Sequence, residues 1–300
     1  MNARTVSAHP PRDTIGLVLS AGGVRGCAHA GVVEVLRREG IPIDLVVGAS
    51  VGAIFGLGIA AGVPTEHLSD LTRRATAWDL FRFYAARLRT DRRNPIARLV
   101  YEAGDGKTFD DLEIPFAVVV TDMASGLPTV IKSGPVLPAV EASFALPFVA
   151  RPVRLDSGYY LDGGIREDTP IYVARDMGVD RVIAVHLGLH YSLAHARRQP
   201  SWTRALAERL GKQRRPISSR FGDQLRFGCR LYLASADPVP LRGEADVSIR
   251  PHFEGVGPNS ITGGRYCYEQ GIQAARAALP LLRDWPRVPV HPDRVLEEVT

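Results

Sequence analysis

Short apolar runs alternate along this chain with longer stretches in which apolar and polar positions repeat at helical spacing. The nearly continuous runs predict strands buried on both faces, at Ile15–Leu19 and at residues 44–47, 115–121 and 181–187. Shorter strands are predicted at residues 129–132, 159–161 and 245–250. Because strands and helices alternate, we predict an α/β fold built in layers around a mostly parallel central sheet.

Capping residues locate most of the helices between these strands. One helix is predicted to follow residue 26 and to end at Gly40, a second to end near Ala61, and a third to run from Pro64 to about Ala75. Later helices are predicted at residues 136–144, at 170–178 with Thr169 as N-cap, and at 264–282. Residues 78–106 combine arginine with aromatic residues and predict no clear element.

No linker, repeat or low-complexity tract divides the sequence, so we expect one domain over residues 14–284. The first 13 residues are polar, contain two prolines and show no apolar segment typical of a secretory signal. We therefore expect a flexible tail over residues 1–13 and a C-terminal tail over residues 285–300.

One uncharged stretch of 19 residues, 45–63, is long enough to raise the question of a membrane span. It contains five glycines and is followed directly by Pro64, a composition that disfavours a single stable helix. A buried strand that turns at Gly48 into a helix is the better interpretation.

The cysteines and the charge indicate where the protein acts. Cys27, Cys229 and Cys267 are far apart and odd in number, which favours a reducing, cytoplasmic setting over a disulfide framework or a zinc site. The chain carries a net charge of +5, but residues 195–230 alone hold ten Arg/Lys against two acids, a local +8. Such a segment is either a solvated helical face or a surface for anionic lipid, and the latter would place the protein peripherally on the inner membrane face.

Ser50 lies at the centre of Gly48-Ala-Ser-Val-Gly52, a G-x-S-x-G sequence between a predicted strand and a predicted helix. This pattern is typical of a sharp strand-to-helix turn that exposes a nucleophilic serine. The amides at the start of the following helix point towards a developing oxyanion.

A glycine loop, residues 21–26, follows the first strand and opens the first helix. Its spacing matches neither a dinucleotide-binding loop nor a P-loop. We predict an oxyanion hole from the amides of Gly22, Gly23 and Val51, with Arg25 either adding positive charge or pairing structurally with an acid.

The serine needs a base, and the sequence offers histidines or a carboxylate. Asp162 precedes two glycines, a sequence that predicts a tight turn and could bring the carboxylate against Ser50. His29, on the first helix, is more typical of a packed residue than of a base. The eight histidines are His9, His29, His67, His186, His190, His195, His252 and His291.

These three elements, in this order, resemble the patatin-like phospholipase family, and specifically its compact bacterial members. The family combines G-G-G-x-R-G, G-x-S-x-G and D-G-[GA], found here at residues 21–26, 48–52 and 162–164. Weaker similarities are Thr121-Asp122 followed by Gly126, Ala142-Ser143 with Pro147, and residues 246–251 before a C-terminal helix. The resemblance covers about residues 14–284 and implies a three-layer α/β fold.

The resemblance also implies a Ser–Asp dyad that needs no catalytic histidine, metal or cofactor. Ser50 would attack the ester carbonyl of a phospholipid or lysophospholipid, with Asp162 passing its proton to the leaving alcohol, and water would hydrolyse the acyl-enzyme. Two residues depart from the family pattern: Ala21 replaces the first loop glycine, and Asp168 stands where asparagine is usual.

Three other functions stay open at this stage. The same dyad could transfer the acyl group to an alcohol, or the fold could serve as a non-catalytic lipid-binding regulator. Nucleic-acid binding through residues 195–230 is not expected, because few aromatic residues interleave with the arginines. Residues 78–93 could line an acyl pocket or contact lipid, although their apolar positions are also typical of a core helix. The sequence gives no indication of the oligomeric state.

Overall fold

The computed structural model describes residues 12–74, 94–147, 150–155, 158–188, 242–257, 260 and 263–288. These residues form one sheet of eight strands: β1 Ile15–Leu19, β2 Leu45–Ala49, β3 Phe116–Asp122, β4 Pro128–Ile131, β5 Val153–Leu155, β6 Gly158–Asp162, β7 Arg181–Val185 and β8 Val247–Ile249. Their α-helices are α1 Cys27–Arg38, α2 Val51–Ala60, α3 Thr65–Arg74, α4 Pro95–Gly104, α5 Val136–Ser143, α6 Ile171–Asp176 and α7 Gly264–Ala278. Short 3-10 turns occupy Gly23–Gly26, Phe109–Asp111, Gly163–Ile165 and Leu279–Leu282.

Hydrogen bonds connect the strands in the series β5-β6-β3-β2-β1-β7-β8, and β4 also pairs with β3. Strands β3, β2, β1, β7 and β8 run parallel to one another, and β4, β5 and β6 are joined by antiparallel pairing. The predicted α/β fold with a mostly parallel sheet is therefore confirmed.

Both faces of the central strands are buried, which explains their continuous apolar sequences. Leu17 and Leu19 of β1 belong to a core shared with α1, α2 and α7. Val18, between them, belongs to a second core on the opposite face, where Val173 and Ala174 of α6 pack. Helices thus cover both faces of the sheet, giving the three layers that the sequence resemblance implied.

The two ends of the described chain are bound to the domain more closely than predicted. The Arg12 guanidinium forms a two-point ion pair with Asp44, at 2.7 and 2.8 Å, and Arg181 pairs with Asp13 at 2.6 Å. At the other end, Trp285 is buried and lies under the Arg181 guanidinium. Arg12, Asp13 and Trp285 therefore pack with the domain, although the sequence analysis assigned them to tails.

Most predicted elements appear within one or two residues of their predicted bounds. The uncharged stretch 45–63 folds as β2 and α2 with a turn between them, and no helix of the described residues is long and apolar enough to cross a membrane. Thr169 does not cap α6; the helix begins at Ile171 with Pro170 at the N-cap position. Strand β5 and helix α4 were not predicted. Helix α4 begins where the Asn94 side chain accepts hydrogen bonds from the first amides of the helix.

Candidate active site

Ser50 occupies a strained turn between β2 and α2. Its backbone angles, φ 55° and ψ −124°, lie in a region that side chains disfavour, and no other non-glycine residue of the described chain has a positive φ. A Cβ at Gly48 would lie 2.4 Å from the carbonyl oxygen of Gly52, and one at Gly52 would lie 2.2 Å from that of Leu19. Both glycines of the motif are therefore needed for the backbone to pass so closely.

The edges of β3 determine what lies opposite this turn. Strand β3 pairs with β2 through residues 116–119 and with β6 through residues 120–122. It pairs with β4 through residues 118–121, which overlap both of these segments. Because one edge of a strand holds one partner at each position, β2 and β6 must both use the edge opposite β4. Their carboxyl ends approach each other along that edge.

The register places the serine and the aspartate at this junction. Ala49, the last residue of β2, pairs with Val119, and Asp162, the last residue of β6, pairs with Val120. Ser50 Oγ donates a hydrogen bond of 2.7 Å to Asp162 Oδ2 across 112 residues of sequence. Both side chains are buried, with 4% and 2% exposure.

Further hydrogen bonds orient the aspartate. The Gly164 amide donates to Asp162 Oδ1 at 2.8 Å, leaving Oδ2 to face Ser50. The Thr121 hydroxyl donates to the Asp162 carbonyl oxygen at 2.8 Å. Burial raises the pKa of Asp162 from 3.8 to about 7, although the hydrogen bonds from Ser50 and Gly164 act in the opposite direction.

The glycine loop packs directly against the turn that carries Ser50. A Cβ at Gly26 would lie 2.3 Å from Val51, and one at Gly22 would lie 2.3 Å from Leu187 Cδ1, so neither site has room for a side chain. Gly23 has a φ of +56°, which glycine adopts without strain. The amides of Gly22, Gly23 and Val51 make no hydrogen bond to another described residue. All three stand at the start of a helical turn, where amides lack intrahelical partners.

The Arg25 side chain contacts residues from two later parts of the chain. Its Nε donates to the Val256 carbonyl oxygen at 2.8 Å, its guanidinium donates to that of Leu187 at 3.1 Å, and it stacks over the Phe253 ring. These contacts tie the glycine loop to two distant segments, through carbonyl oxygens and a ring and not through an acid. That the positive charge of Arg25 also acts at the oxyanion site stays a prediction.

The histidine on α1 is a packed residue. His29 is fully buried, shares a hydrogen bond of 2.9 Å between Nε2 and the Ser20 carbonyl oxygen, and meets the Phe55 ring edge to face. Burial lowers its pKa to about 4, so the imidazole is neutral. In this state Nε2 donates to Ser20.

Sequence reasoning noticed Ser143 only as a family similarity and assigned it no contact. Its buried hydroxyl accepts a hydrogen bond of 2.9 Å from the Ser50 amide and donates one of 2.7 Å to the Val119 carbonyl oxygen. Two residues later, the Ala145 carbonyl oxygen accepts from the Asp162 amide at 3.0 Å. The only sequence signal near this contact is the family similarity at Ala142-Ser143 with Pro147.

The two departures from the family pattern meet at the glycine loop. The Ala21 amide donates to the Asp168 carbonyl oxygen at 2.8 Å, so the contact uses the backbone of Asp168. Residues 78–93, proposed to line a pocket, and the basic segment 195–230 lie outside the described residues.

Comparison with known proteins finds one matching family model and several similar proteins. The family model described as patatin-like phospholipase matches residues 17–175. The human patatin-like phospholipase domain-containing protein 6 is 32% identical over 187 residues, which are 59% of this chain and 13% of that protein. An uncharacterized NTE family protein of Mycobacterium tuberculosis is 31% identical over 179 residues, 58% of this chain and 49% of its own length. This chain thus spans half or less of these relatives.

Solved structures with a similar fold include VipD from Legionella pneumophila. The match covers 89% of this chain and 67% of the VipD chain, with a TM-score of 0.47 and 14% sequence identity. The match to the type III effector protein ExoU covers 90% of this chain and 53% of the ExoU chain, with a TM-score of 0.41 and 14% sequence identity.

Proposed function

We propose that this chain, which belongs to the patatin-like phospholipase family, hydrolyses carboxylic esters of phospholipids or lysophospholipids through a Ser50–Asp162 dyad. One observation carries the proposal: the hydroxyl of a strained, buried serine donates a 2.7 Å hydrogen bond to a buried carboxylate. A nucleophile in hydrogen-bond contact with its own base is the arrangement that acyl transfer requires.

The reaction has two halves. In the first, Ser50 Oγ attacks the ester carbonyl carbon while its proton passes to Asp162 Oδ2. The tetrahedral intermediate then collapses, its bond to the alcohol breaks, and Asp162 returns the proton to that alcohol. In the second, water attacks the acyl-enzyme and loses a proton to Asp162, after which the fatty acid leaves and Ser50 recovers its proton.

The developing oxyanion is proposed to accept hydrogen bonds from the amides of Gly22, Gly23 and Val51. The Ser50 amide is not available for this, because it donates to Ser143. Within the described residues these three amides have no hydrogen-bond partner, and one preorganised oxyanion donor contributes about 3 kcal/mol in a serine protease. The positive end of α2, which begins at Val51, adds to the same effect.

Burial makes Asp162 a useful base. An aspartate with a pKa near 4 would accept a serine proton poorly at neutral pH, whereas one with a pKa of about 7 matches the working range of a general base. Its second oxygen is occupied by Gly164, so the proton-accepting oxygen faces Ser50.

The lipid is proposed to reach this site from an anionic surface. Residues 195–230 carry a net charge of +8, and clusters of this kind bind anionic headgroups. Sedimentation with vesicles of phosphatidylglycerol and of phosphatidylcholine tests the idea. Preferential binding to phosphatidylglycerol that weakens with salt is expected, and equal binding to both would reject it.

The function itself is tested by fatty-acid release from phosphatidylcholine and lysophosphatidylcholine in mixed micelles. Wild-type protein is expected to release fatty acid, and Ser50→Ala to release none above background. Retained hydrolysis by a folded Ser50→Ala variant would exclude the dyad. Adding glycerol to the same assay distinguishes hydrolysis from transfer, because transfer yields a new glycerol ester.

A further inference from the structure

The Ser143 hydroxyl occupies the place of a missing hydrogen bond between two strands. In the parallel pair of β2 and β3, the Val46 amide donates to the Pro115 carbonyl oxygen at 2.9 Å. Such bonds repeat every two residues on each strand, so the series reaches the Ser50 amide and the Val119 carbonyl oxygen. These are the two groups that Ser143 Oγ bridges, at 2.9 and 2.7 Å.

Insertion of a hydroxyl separates the strands at this point. A direct N–H···O contact between β2 and β3 would extend β2 by one residue and keep Ser50 in strand conformation. With the hydroxyl inserted, the ladder ends at Ala49 and Ser50 turns to a φ of 55° while both buried backbone groups stay hydrogen-bonded. The strained turn and the buried hydroxyl are therefore parts of one arrangement.

The same short segment also holds the aspartate. The Ala145 carbonyl oxygen accepts from the Asp162 amide at 3.0 Å, two residues beyond Ser143. The end of α5 thus contacts the backbone of both members of the proposed dyad, one through a side chain and one through the main chain. A shift of this segment would change the distance between Ser50 Oγ and Asp162.

We propose that Ser143 is a positioning residue, whose hydroxyl holds the Ser50 backbone in its strained conformation and so sets the nucleophile against Asp162. This inference rests on the proposed function of Ser50. The Ser143 hydroxyl bonds to the Ser50 amide and the Val119 carbonyl oxygen, so it acts on the nucleophile through the backbone of Ser50.

Ser143→Ala and Ser69→Ala form a matched pair for the test. Ser69 is also a buried helical serine that donates to a backbone carbonyl oxygen, that of Glu66 at 2.9 Å, but it lies on α3. Loss of Ser143 is expected to lower kcat by about tenfold to a hundredfold, with KM within about twofold, since small misplacements of reacting groups cost this much. Ser69→Ala is expected to keep the wild-type kcat per folded molecule.

A second measurement does not depend on activity. Amide exchange resolved to Ser50 by NMR is expected to accelerate at least about tenfold in Ser143→Ala and to be unchanged in Ser69→Ala, because the amide loses its acceptor. Ser143→Thr, which keeps a hydroxyl, is expected to restore slow exchange, and its melting temperature verifies folding.

The outcomes separate the two claims. Unchanged Ser50 exchange in a folded Ser143→Ala variant overturns the inference, and so does faster exchange with wild-type kcat per folded molecule. Absence of fatty-acid release by the wild type would reject the proposed function instead, and the exchange data would still show whether this hydroxyl holds the turn.

Discussion

A methyl group on Gly164 would lie 2.4 Å from the Cβ of Ala21, closer than two carbon atoms can pack. Ala21 stands where the family pattern has glycine, and Gly164 stands where the family accepts glycine or alanine. In this chain the two positions therefore depend on each other, because Ala21 already fills the space.

Gly164→Ala is expected to impair the dyad, since the new methyl would also lie 3.2 Å from Asp162 Oδ1 and 3.6 Å from Ser50 Cβ. We expect a destabilisation of about 1–3 kcal/mol, typical of overpacking, and a loss of more than about tenfold in kcat/KM. Adding Ala21→Gly should restore much of both, since the opposing Cβ is then absent. Additive effects in a double-mutant cycle, measured by urea unfolding and ester hydrolysis, would contradict this coupling.

Asp162→Asn is expected to stabilise the protein above neutral pH while abolishing turnover. Because folding raises the pKa of Asp162 from 3.8 to about 7, the folded state binds more protons than the unfolded state between these values. This group's contribution to stability is therefore fully present below pH 4 and lost as pH rises through 7, by up to about 4 kcal/mol. Urea unfolding should show the variant more stable at pH 8 and the difference shrinking towards pH 4. A pH-independent difference would contradict the burial of a titrating carboxylate.

The pH–rate profile of kcat/KM should rise through about pH 7 and level off above it, because Asp162 accepts the serine proton only when ionised. Glu167, five residues further on, provides a necessary control, since burial raises its pKa to about 7 as well. Glu167→Gln should leave the rise in place. Loss of the rise in Glu167→Gln would show that the titrating group is Glu167 and not Asp162, and would contradict the prediction.

His29→Gln tests whether the buried histidine takes part in the reaction. We expect kcat to stay within a few-fold of wild type, because the buried His29 ring contacts the Ser20 carbonyl oxygen and the Phe55 ring, and the Ser50 hydroxyl donates to Asp162 instead. Folding lowers its pKa from 6.5 to about 4, so its contribution to stability is lost as pH falls through this range. The variant should therefore lose less stability in acid than the wild type. A collapse of kcat with an intact fold would point to a histidine in the mechanism.

Local chemistry explains which features the sequence could predict. The continuous apolar run of β1 and the glycines around Ser50 have local physical meaning, because a strand buried on both faces is apolar throughout and a tight turn excludes side chains. The order of the three motifs then identified the family. Helix α4 was missed because its start depends on the Asn94 cap within an arginine-rich stretch without clear periodicity.

Features set by tertiary contacts could not be predicted in this way. The meeting of Ser50 and Asp162 depends on β2 and β6 sharing one edge of β3, and strand order is not encoded in local periodicity. The side-chain partners of Arg25 lie more than 160 positions away in the sequence, so its place in the loop could not predict them. The bridging hydroxyl of Ser143 has no local signature, since an isolated serine at a helix end is common.

The most direct test of the account is reaction with a fluorophosphonate probe, followed by mass spectrometry to locate the adduct. We predict covalent modification of Ser50, loss of labelling in Ser50→Ala, slower labelling in Asp162→Asn, and unchanged labelling in Ser125→Ala, which alters an exposed serine on the turn after β3. A well-folded wild-type protein that carries no adduct, or carries it on a residue other than Ser50, would contradict the central claim.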